Sequence, residues 1–373
     1  MNVLYISKLT GNLFAGPNNS VPAQIKAQSK IDNVFWYNLN NVKRKEWNSI
    51  NCYNLNDFPT GRLNDLPKPF NKPDIAVIEE FYCFPFCKII RDLYVNKIPY
   101  IIIPRSELTK KAQHKKHFKK FMGNICYFNK MARKAAAIQF LSYQEKIDSG
   151  KKWNKKSLII PNGIDIPDVK KEKFSRKGIN ATYIGRYEIY QKGLDILLNA
   201  IDKSQIDLRK SNFILNMYGV NQEKTINILK KKILENNISD LVKINDAVYK
   251  GRKEKVLLNT DVFILTSRFE GMPMGVIEAL AYGVPCLVTK GTNMTGDIEE
   301  YNAGWTCDIS DEKIEKAIKK MLNEKKKFSI LGKNARNLAQ KYSWREIAEK
   351  THHEFEKIVE QENNYEFIKD PLI

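Results

Sequence analysis

The sequence predicts an α/β protein built as two Rossmann-like domains, each a parallel sheet wrapped by helices. Three observations carry this expectation. Short apolar runs of strand length alternate with helical stretches through both halves of the chain. Its 373 residues exceed what one hydrophobic core usually serves. Between the halves lies a stretch where Pro, Asn-Gly and charge cluster without apolar periodicity.

In the first half the strand candidates are Asn2 to Ser7, Val34 to Tyr37, Ile75 to Ile78, Pro99 to Ile103 and Ala137 to Leu141. The chain turns basic and polar at Lys151 to Lys156, and Pro161 to Lys173 reads as the interdomain linker. The second half repeats the alternation at Ala181 to Ile184, Phe213 to Tyr218, Val242 to Asn245, Val262 to Thr266 and Cys286 to Val288. A polar amphipathic helix then runs from Trp344 to about Gln361. The expected division is residues 1–160, 161–344 and a C-terminal helix and tail over 345–373. No internal repeat is evident.

Composition narrows the function. No run of 18 apolar residues suits a membrane span, and the start Met1-Asn2-Val3-Leu4-Tyr5-Ile6 is a strand pattern without the basic, long apolar form of a signal peptide. A cytoplasmic protein is expected, peripheral on the inner face of the cell membrane if its basic surface docks there. Cys52, Cys83, Cys87, Cys126, Cys286 and Cys307 are scattered and read as buried free thiols, and His114, His117, His352 and His353 lack ligand spacing, so no metal is expected. The net charge of +20 points to an anionic partner: nucleic acid, a lipid headgroup surface or phosphorylated substrates. A merely solvated Lys-rich surface is the plainer account.

The segment Asp261 to Thr289 is the most informative. An apolar strand leads to a loop bearing Glu270, a short helix bearing Glu278 and a second apolar strand. Such a unit presents loop N–H groups and a helix N-terminus at the carboxyl end of its first strand, where anions bind. Its two carboxylates suit sugar hydroxyls. The turn Gly271-Met272-Pro273-Met274-Gly275 lets the backbone approach a bulky ligand. Spacing alone proves nothing, because Glu346, Glu354 and Glu362 also recur every eight residues in a surface helix. Upstream, a strand ending in Gly185-Arg186 and followed by Lys192 before a helix delivers two cations, whose natural target is a diphosphate. A cation–phosphate pair near 4 Å is worth about 4 kcal/mol at an effective dielectric near 20.

With its flanking strands and glycines, this pattern resembles the two-glutamate signature of retaining glycosyltransferases of family 4. The resemblance also takes in Ile160-Pro161-Asn162-Gly163-Ile164-Asp165 and Leu215-Asn216-Met217-Tyr218-Gly219, and spans about residues 158 to 345. It implies the GT-B fold, with two parallel sheets facing a central cleft, an N-terminal acceptor domain, a C-terminal nucleotide-sugar domain, and a last helix that crosses back to the first domain. It implies transfer of a hexosyl or N-acetylhexosaminyl group from a nucleotide-sugar, by family frequency a UDP-sugar, to a saccharide or lipid-linked saccharide with retention, in cell-surface polysaccharide biosynthesis. No cofactor is then required. Carried over by position, Glu270 binds donor sugar hydroxyls, Glu278 the ribose hydroxyls, and Arg186 and Lys192 the leaving diphosphate. Gly185 and the backbone of Gly271, Met272, Pro273, Met274 and Gly275 complete the donor site.

The first half departs from the family. Its loop Gly11 to Ser20 has Gly16-Pro17 where relatives often have adjacent glycines, so contact of Gly16 and Asn18 N–H groups with the distal phosphate is an expectation only. After Ile103-Pro104, where relatives place His-Gly, this chain has Arg105-Ser106-Glu107. Arg105, Glu107, Glu79 and Glu80 are the acceptor-side ligand or base candidates, with plain ion pairing as the alternative for each. From Arg105 to Lys134 there are ten Lys/Arg and one acid, interleaved with Phe118, Phe121, Met122, Ile125, Tyr127 and Phe128. Two readings are open: docking on an anionic membrane carrying a lipid-diphosphate acceptor, or a helix whose apolar stripe faces its own sheet. Rival functions are a sugar-nucleotide epimerase or hydrolase on the same fold, and a basic nucleic-acid- or membrane-binding protein. A nicotinamide-dependent dehydrogenase is disfavoured, since no G-x-G-x-x-G follows a strand.

Overall fold

In a computed structural model, described for residues 1–12, 16–42, 44–114, 117–220 and 223–369, the chain forms two compact units. The first comprises Met1–Gly163 with Trp344–Ile373, the second Ile164–Ser343. No described helix is long and apolar enough to cross a membrane.

The first unit holds β1 (Asn2–Ser7), β2 (Asn33–Asn38), β3 (Cys52–Asn54), β4 (Ile75–Glu79), β5 (Tyr100–Ile103), β6 (Ala137–Phe140) and β7 (Ser157–Ile159). They pair in the order β3-β2-β1-β4-β5-β6-β7, every pair parallel. Alternate side chains of a strand leave opposite faces, so a sheet covered on both sides needs unbroken apolar runs. Val3, Tyr5, Ile75, Val77, Ile101 and Ile103 enter one core. Leu4, Ile6, Ala76, Ile78, Tyr100 and Ile102 enter the other. The first is closed by Val21 and Ile25 of the helix Pro17–Gln28 and by Phe355 and Ile358 of the helix Trp344–Lys369. The second is closed by Phe86, Ile89, Ile90 and Leu93 of the helix Phe86–Val95. Residues 370–373 of the expected tail lie outside the described residues.

The second unit holds β8 (Ile179–Ile184), β9 (Phe213–Gly219), β10 (Val242–Asp246), β11 (Val262–Leu265), β12 (Cys286–Thr289) and β13 (Gly304–Cys307) in the order β10-β9-β8-β11-β12-β13, again all parallel. In each sheet the winding direction reverses once, between β1 and β4 and between β8 and β11. Ligands of open parallel sheets bind at such reversals, outside the carboxyl ends.

Three strands were not expected: β3, β7 and β13 are short and partly exposed, and the apolar run at β7, Leu158-Ile159-Ile160, is brief and stops at Pro161. The thiols also need correction. None of the six is disulfide-bonded, but Cys83 and Cys286 are buried, Cys52, Cys87 and Cys307 half-buried, and Cys126 exposed.

Candidate active site

At the reversal of the second sheet, Lys192 and Glu270 meet. Lys192 Nζ lies 2.6 Å from Glu270 Oε1, with side chains only 13% and 6% exposed. Glycine geometry explains the approach. Gly193 has φ +63°, and a Cβ there would sit 2.1 Å from the carbonyl oxygen of Thr266, so only glycine lets this turn rest on the end of β11. The Thr266 hydroxyl donates to the Gly193 carbonyl at 3.1 Å.

The glutamate loop is anchored from several sides. Arg268 N–H donates to the Gln191 carbonyl at 2.8 Å, and the Arg268 guanidinium clasps Asp195 with two bonds of 2.7 and 2.8 Å. That guanidinium holds the Asp195 carboxyl below its ordinary pKa, against the opposing effect of burial. Asn293 Nδ2 donates to the Glu270 carbonyl at 2.6 Å, and the Ser267 hydroxyl donates to Glu270 Oε1. Among the described residues nothing bonds Glu270 Oε2, which leaves that oxygen for an incoming hydroxyl.

Arg186, just past β8, is 63% exposed and only 4.0 Å from Glu188 Oε1, a loose surface pair that leaves its cation available. Gly185 is crowded on both sides. A Cβ on Gly219 would meet its carbonyl at 2.4 Å, and one on Gly185 would meet the Tyr183 hydroxyl at 2.8 Å. Gly275, in the first turn of the helix Met274–Ala281, rests against the end of β8, where an added Cβ would lie 3.1 Å from the Ile184 carbonyl. Met272 and Met274 pack on the core, and Gly271 is exposed at the loop tip. One turn into that helix Glu278 pairs with Lys253 of the helix Lys250–Asn259. Lys253, Ser267, Asn293 and Tyr183 were not expected. Nothing local marks them, except that Ser267 and Asn293 follow β11 and β12 on the ligand-bearing edge.

In the first unit, most acceptor-side candidates are bound to their own chain. Arg105, 5% exposed, donates to Glu79 Oε2 at 2.7 Å, to Ser20 Oγ at 3.0 Å, to Gln24 Oε1 at 3.0 Å and to Asn162 Oδ1 at 3.2 Å. Glu79 is wholly buried. Glu107 Oε2 accepts from the N–H groups of Phe81 and Tyr82. Glu80 differs. It is half-buried at φ +75°, and its carboxyl pKa is pushed up to about 7 by burial first, then by Glu107 and Glu79. Arg105 and Ser106, at φ +46° and +70°, share this left-handed region. Three non-glycine residues so held at two adjacent strand ends store roughly 1–3 kcal/mol each, the pattern of a functional edge.

In the loop after β1, Leu13, Phe14 and Ala15 lie outside the described residues. Gly16 precedes the helix Pro17–Gln28, and the Asn18 side chain turns inward to accept from Gly11 N–H at 2.8 Å. In the basic segment, whose Lys115 and Lys116 lie outside the described residues, the apolar stripe does not face its own sheet. Phe128 is buried, but Phe118 is 75% and Ile125 62% exposed, and Phe121 and Met122 are also exposed. Among the described residues no group of three or more His, Cys, Asp or Glu is placed to hold a metal ion.

Residues 166–338 match the family model described as Glycosyl transferases group 1, which is nearly all of the second unit. Over these residues the chain is similar to group 1 glycosyltransferases. The chain is 23% identical, over 54% of its own length and 41% of the relative's, to a phosphatidylinositol N-acetylglucosaminyltransferase component of Homo sapiens. It is 26% identical, over 49% of each, to the UDP-Gal:alpha-D-GlcNAc-diphosphoundecaprenol alpha-1,3-galactosyltransferase of Escherichia coli. The chain thus spans about half the length, or less, of these curated relatives. The crystal structure of Anabaena HepE in complex with UDP superposes with a TM-score of 0.66 over 96% of this chain and 100% of that one. At 14% identity the likeness establishes the fold, two Rossmann-like units of the GT-B class. The matched residues include Lys192, Glu270, Arg186 and Glu278.

Proposed function

We propose that this protein is a retaining glycosyltransferase that moves a hexosyl or N-acetylhexosaminyl group from a UDP-sugar to a saccharide or lipid-linked saccharide, in assembly of a cell-surface polysaccharide. The observation that carries the reading is the enclosed Lys192–Glu270 pair at the sheet reversal, with exposed Arg186 just past the end of β8, the strand adjoining β11. Lys192 has three N–H donors and gives one to Glu270. The others, with the Arg186 guanidinium, suit a diphosphate. Glu270 Oε2 suits a sugar hydroxyl.

In the reaction the bond from the anomeric carbon to the diphosphate oxygen breaks and the acceptor oxygen takes its place. Charge grows on the leaving diphosphate, so fixed cations stabilise the transition state more than the bound donor. The acceptor hydroxyl must lose a proton, and Glu80, poised near neutrality, is the acceptor-side carboxylate not locked to its own chain. No metal or cofactor enters this scheme.

The name of the Escherichia coli relative, with its diphosphoundecaprenol acceptor, supports a lipid-linked acceptor here. The exposed Phe118, Phe121, Met122 and Ile125, with exposed Lys119 and Lys130 alongside, support docking of this segment on an anionic membrane at the cytoplasmic face. The test is a thermal-shift panel of UDP-, GDP- and ADP-sugars followed by transfer assays. Donor at about 100 times its dissociation constant should stabilise the fold by about 2.7 kcal/mol. Product formed without an acceptor would identify an epimerase or hydrolase instead.

A further inference from the structure

The carboxyl edge of the first sheet carries Glu79, Glu80 and Arg105. Its amino edge, where β4, β5, β6 and β7 begin, carries a different feature. A groove of about 1160 Å³ opens there. Strands of four or five residues at about 3.3 Å per residue put it roughly 15 Å from the opposite edge.

Basic side chains dominate its lining. Arg133 and Lys134 precede β6, Lys151, Lys152, Lys155 and Lys156 precede β7, and Lys97 precedes β5. Against these seven cations stand two acids, Asp74 and Glu362. Asp74 is already occupied, accepting from the Asn2 N–H at 2.7 Å. Among the described residues Arg133, Lys134, Lys151, Lys152 and Lys155 form no ion pair. Like charges so concentrated repel one another, and an anionic ligand relieves that repulsion.

The shape and lining select the class of anion. A concave groove does not meet a flat bilayer. Single-stranded nucleic acid needs exposed aromatic platforms for its bases, but Trp153 is buried and Tyr94, the exposed ring of the lining, is covered by Lys134 Nζ at 3.1 Å from its centroid. Lysine stems can cover sugar rings while their ammonium heads meet charged substituents. We propose that this groove binds a linear acidic saccharide, one whose carboxylate, phosphate or sulfate groups recur along the chain. Its lining shares no residue with the donor pair or with the exposed phenylalanines of the basic segment.

The test is fluorescence anisotropy of the full chain with a fluorescein-labelled heparin hexasaccharide, between 50 and 200 mM salt. Turnover and donor play no part, so the outcome is independent of the transferase reading. The Lys151→Glu/Lys155→Glu double variant changes exposed side chains and should keep its Tm. It should bind at least tenfold more weakly, with the slope of log K against log salt reduced by about 1.4, two cations at roughly 0.7 each. A control double variant in the other unit, Lys326→Glu/Lys333→Glu, should bind as the parent does, and neutral dextran should not compete. Equal losses in both double variants would reduce the effect to net charge and overturn the proposal. So would unchanged binding in the groove variant. Competition by oligo-dT or phosphatidylglycerol vesicles as effective as that of unlabelled hexasaccharide would assign the groove to nucleic acid or lipid instead.

Discussion

Lys192 and Glu270, 78 positions apart in sequence, share a 2.6 Å contact from which solvent is nearly excluded. Removing one partner of such a pair leaves an uncompensated charge, at a cost of about 3–5 kcal/mol. Glu270→Gln keeps the shape and a hydrogen-bonding group. Its turnover is expected to fall roughly 10²–10³-fold, the scale of losing one preorganised electrostatic contact. Transfer assays beside urea unfolding separate this from instability, and unchanged turnover would remove Glu270 from the chemistry.

Arg186 gives a contrasting case. It is exposed and loosely paired, so Arg186→Ala should leave the unfolding free energy from urea titration within about 0.5 kcal/mol of the parent. Donor KM should rise about tenfold, equivalent to roughly 1.4 kcal/mol of lost binding, and the difference should shrink as salt is raised. A KM insensitive to the substitution would place the diphosphate elsewhere.

Gly193→Ala tests the turn itself. The added methyl would sit 2.1 Å from the Thr266 carbonyl at a φ of +63°, so something must shift. We expect a loss of about 2–4 kcal/mol by denaturant unfolding, typical of strain at a special backbone position, together with weaker donor binding as Lys192 is displaced. Normal stability would show that the turn gives way at little cost.

Glu80 links stability to pH. Its folded pKa of about 7 exceeds the ordinary 4.5, burial being the main cause, with Arg105 and Lys8 opposing. Between those values the folded state holds more protons than the unfolded one, so stability falls as pH rises and levels off above 7. Glu80→Gln removes this dependence. The variant should match the parent near pH 4.5 and exceed it above pH 7, by up to about 3 kcal/mol from the size of the shift. Parallel Tm curves at all pH values would contradict the shift.

Membrane docking has its own readout. Phe118→Ser/Phe121→Ser should retain the parent's Tm, because both rings are exposed. Co-sedimentation with phosphatidylglycerol vesicles should drop sharply, since each inserted ring contributes roughly 1.5–3 kcal/mol. Retained sedimentation would leave the basic side chains alone responsible.

Much of the fold was legible because strands buried on both faces demand unbroken apolar runs, as at Leu4, Tyr5 and Ile6 or Ile101, Ile102 and Ile103. The short strands at Cys52, Leu158 and Trp305 give no such signal because they are brief and only partly covered. At the candidate site, residue types announced Glu270, Glu278, Arg186 and Lys192, yet a sequence displays charges without their partners. Nothing in it says that Lys192 meets Glu270, that Lys253 meets Glu278, or that Arg105 is consumed by Glu79, Ser20, Gln24 and Asn162. Those pairings arise from parallel strand register, which gathers loops distant in the chain on one edge.

Phe355 and Ile358 fill the same core as Val3 and Tyr5. During synthesis the ribosome therefore delivers the entire second unit before it supplies the side chains that finish the first. The early sheet must wait with an apolar face uncovered, a natural substrate for chaperones, while the later, contiguous unit closes ahead of it. Hydrogen exchange on a chain stopped at Ser343 should show protected β8 to β12 and poorly protected β1 and β4, and full protection of β1 would dismiss this order of events.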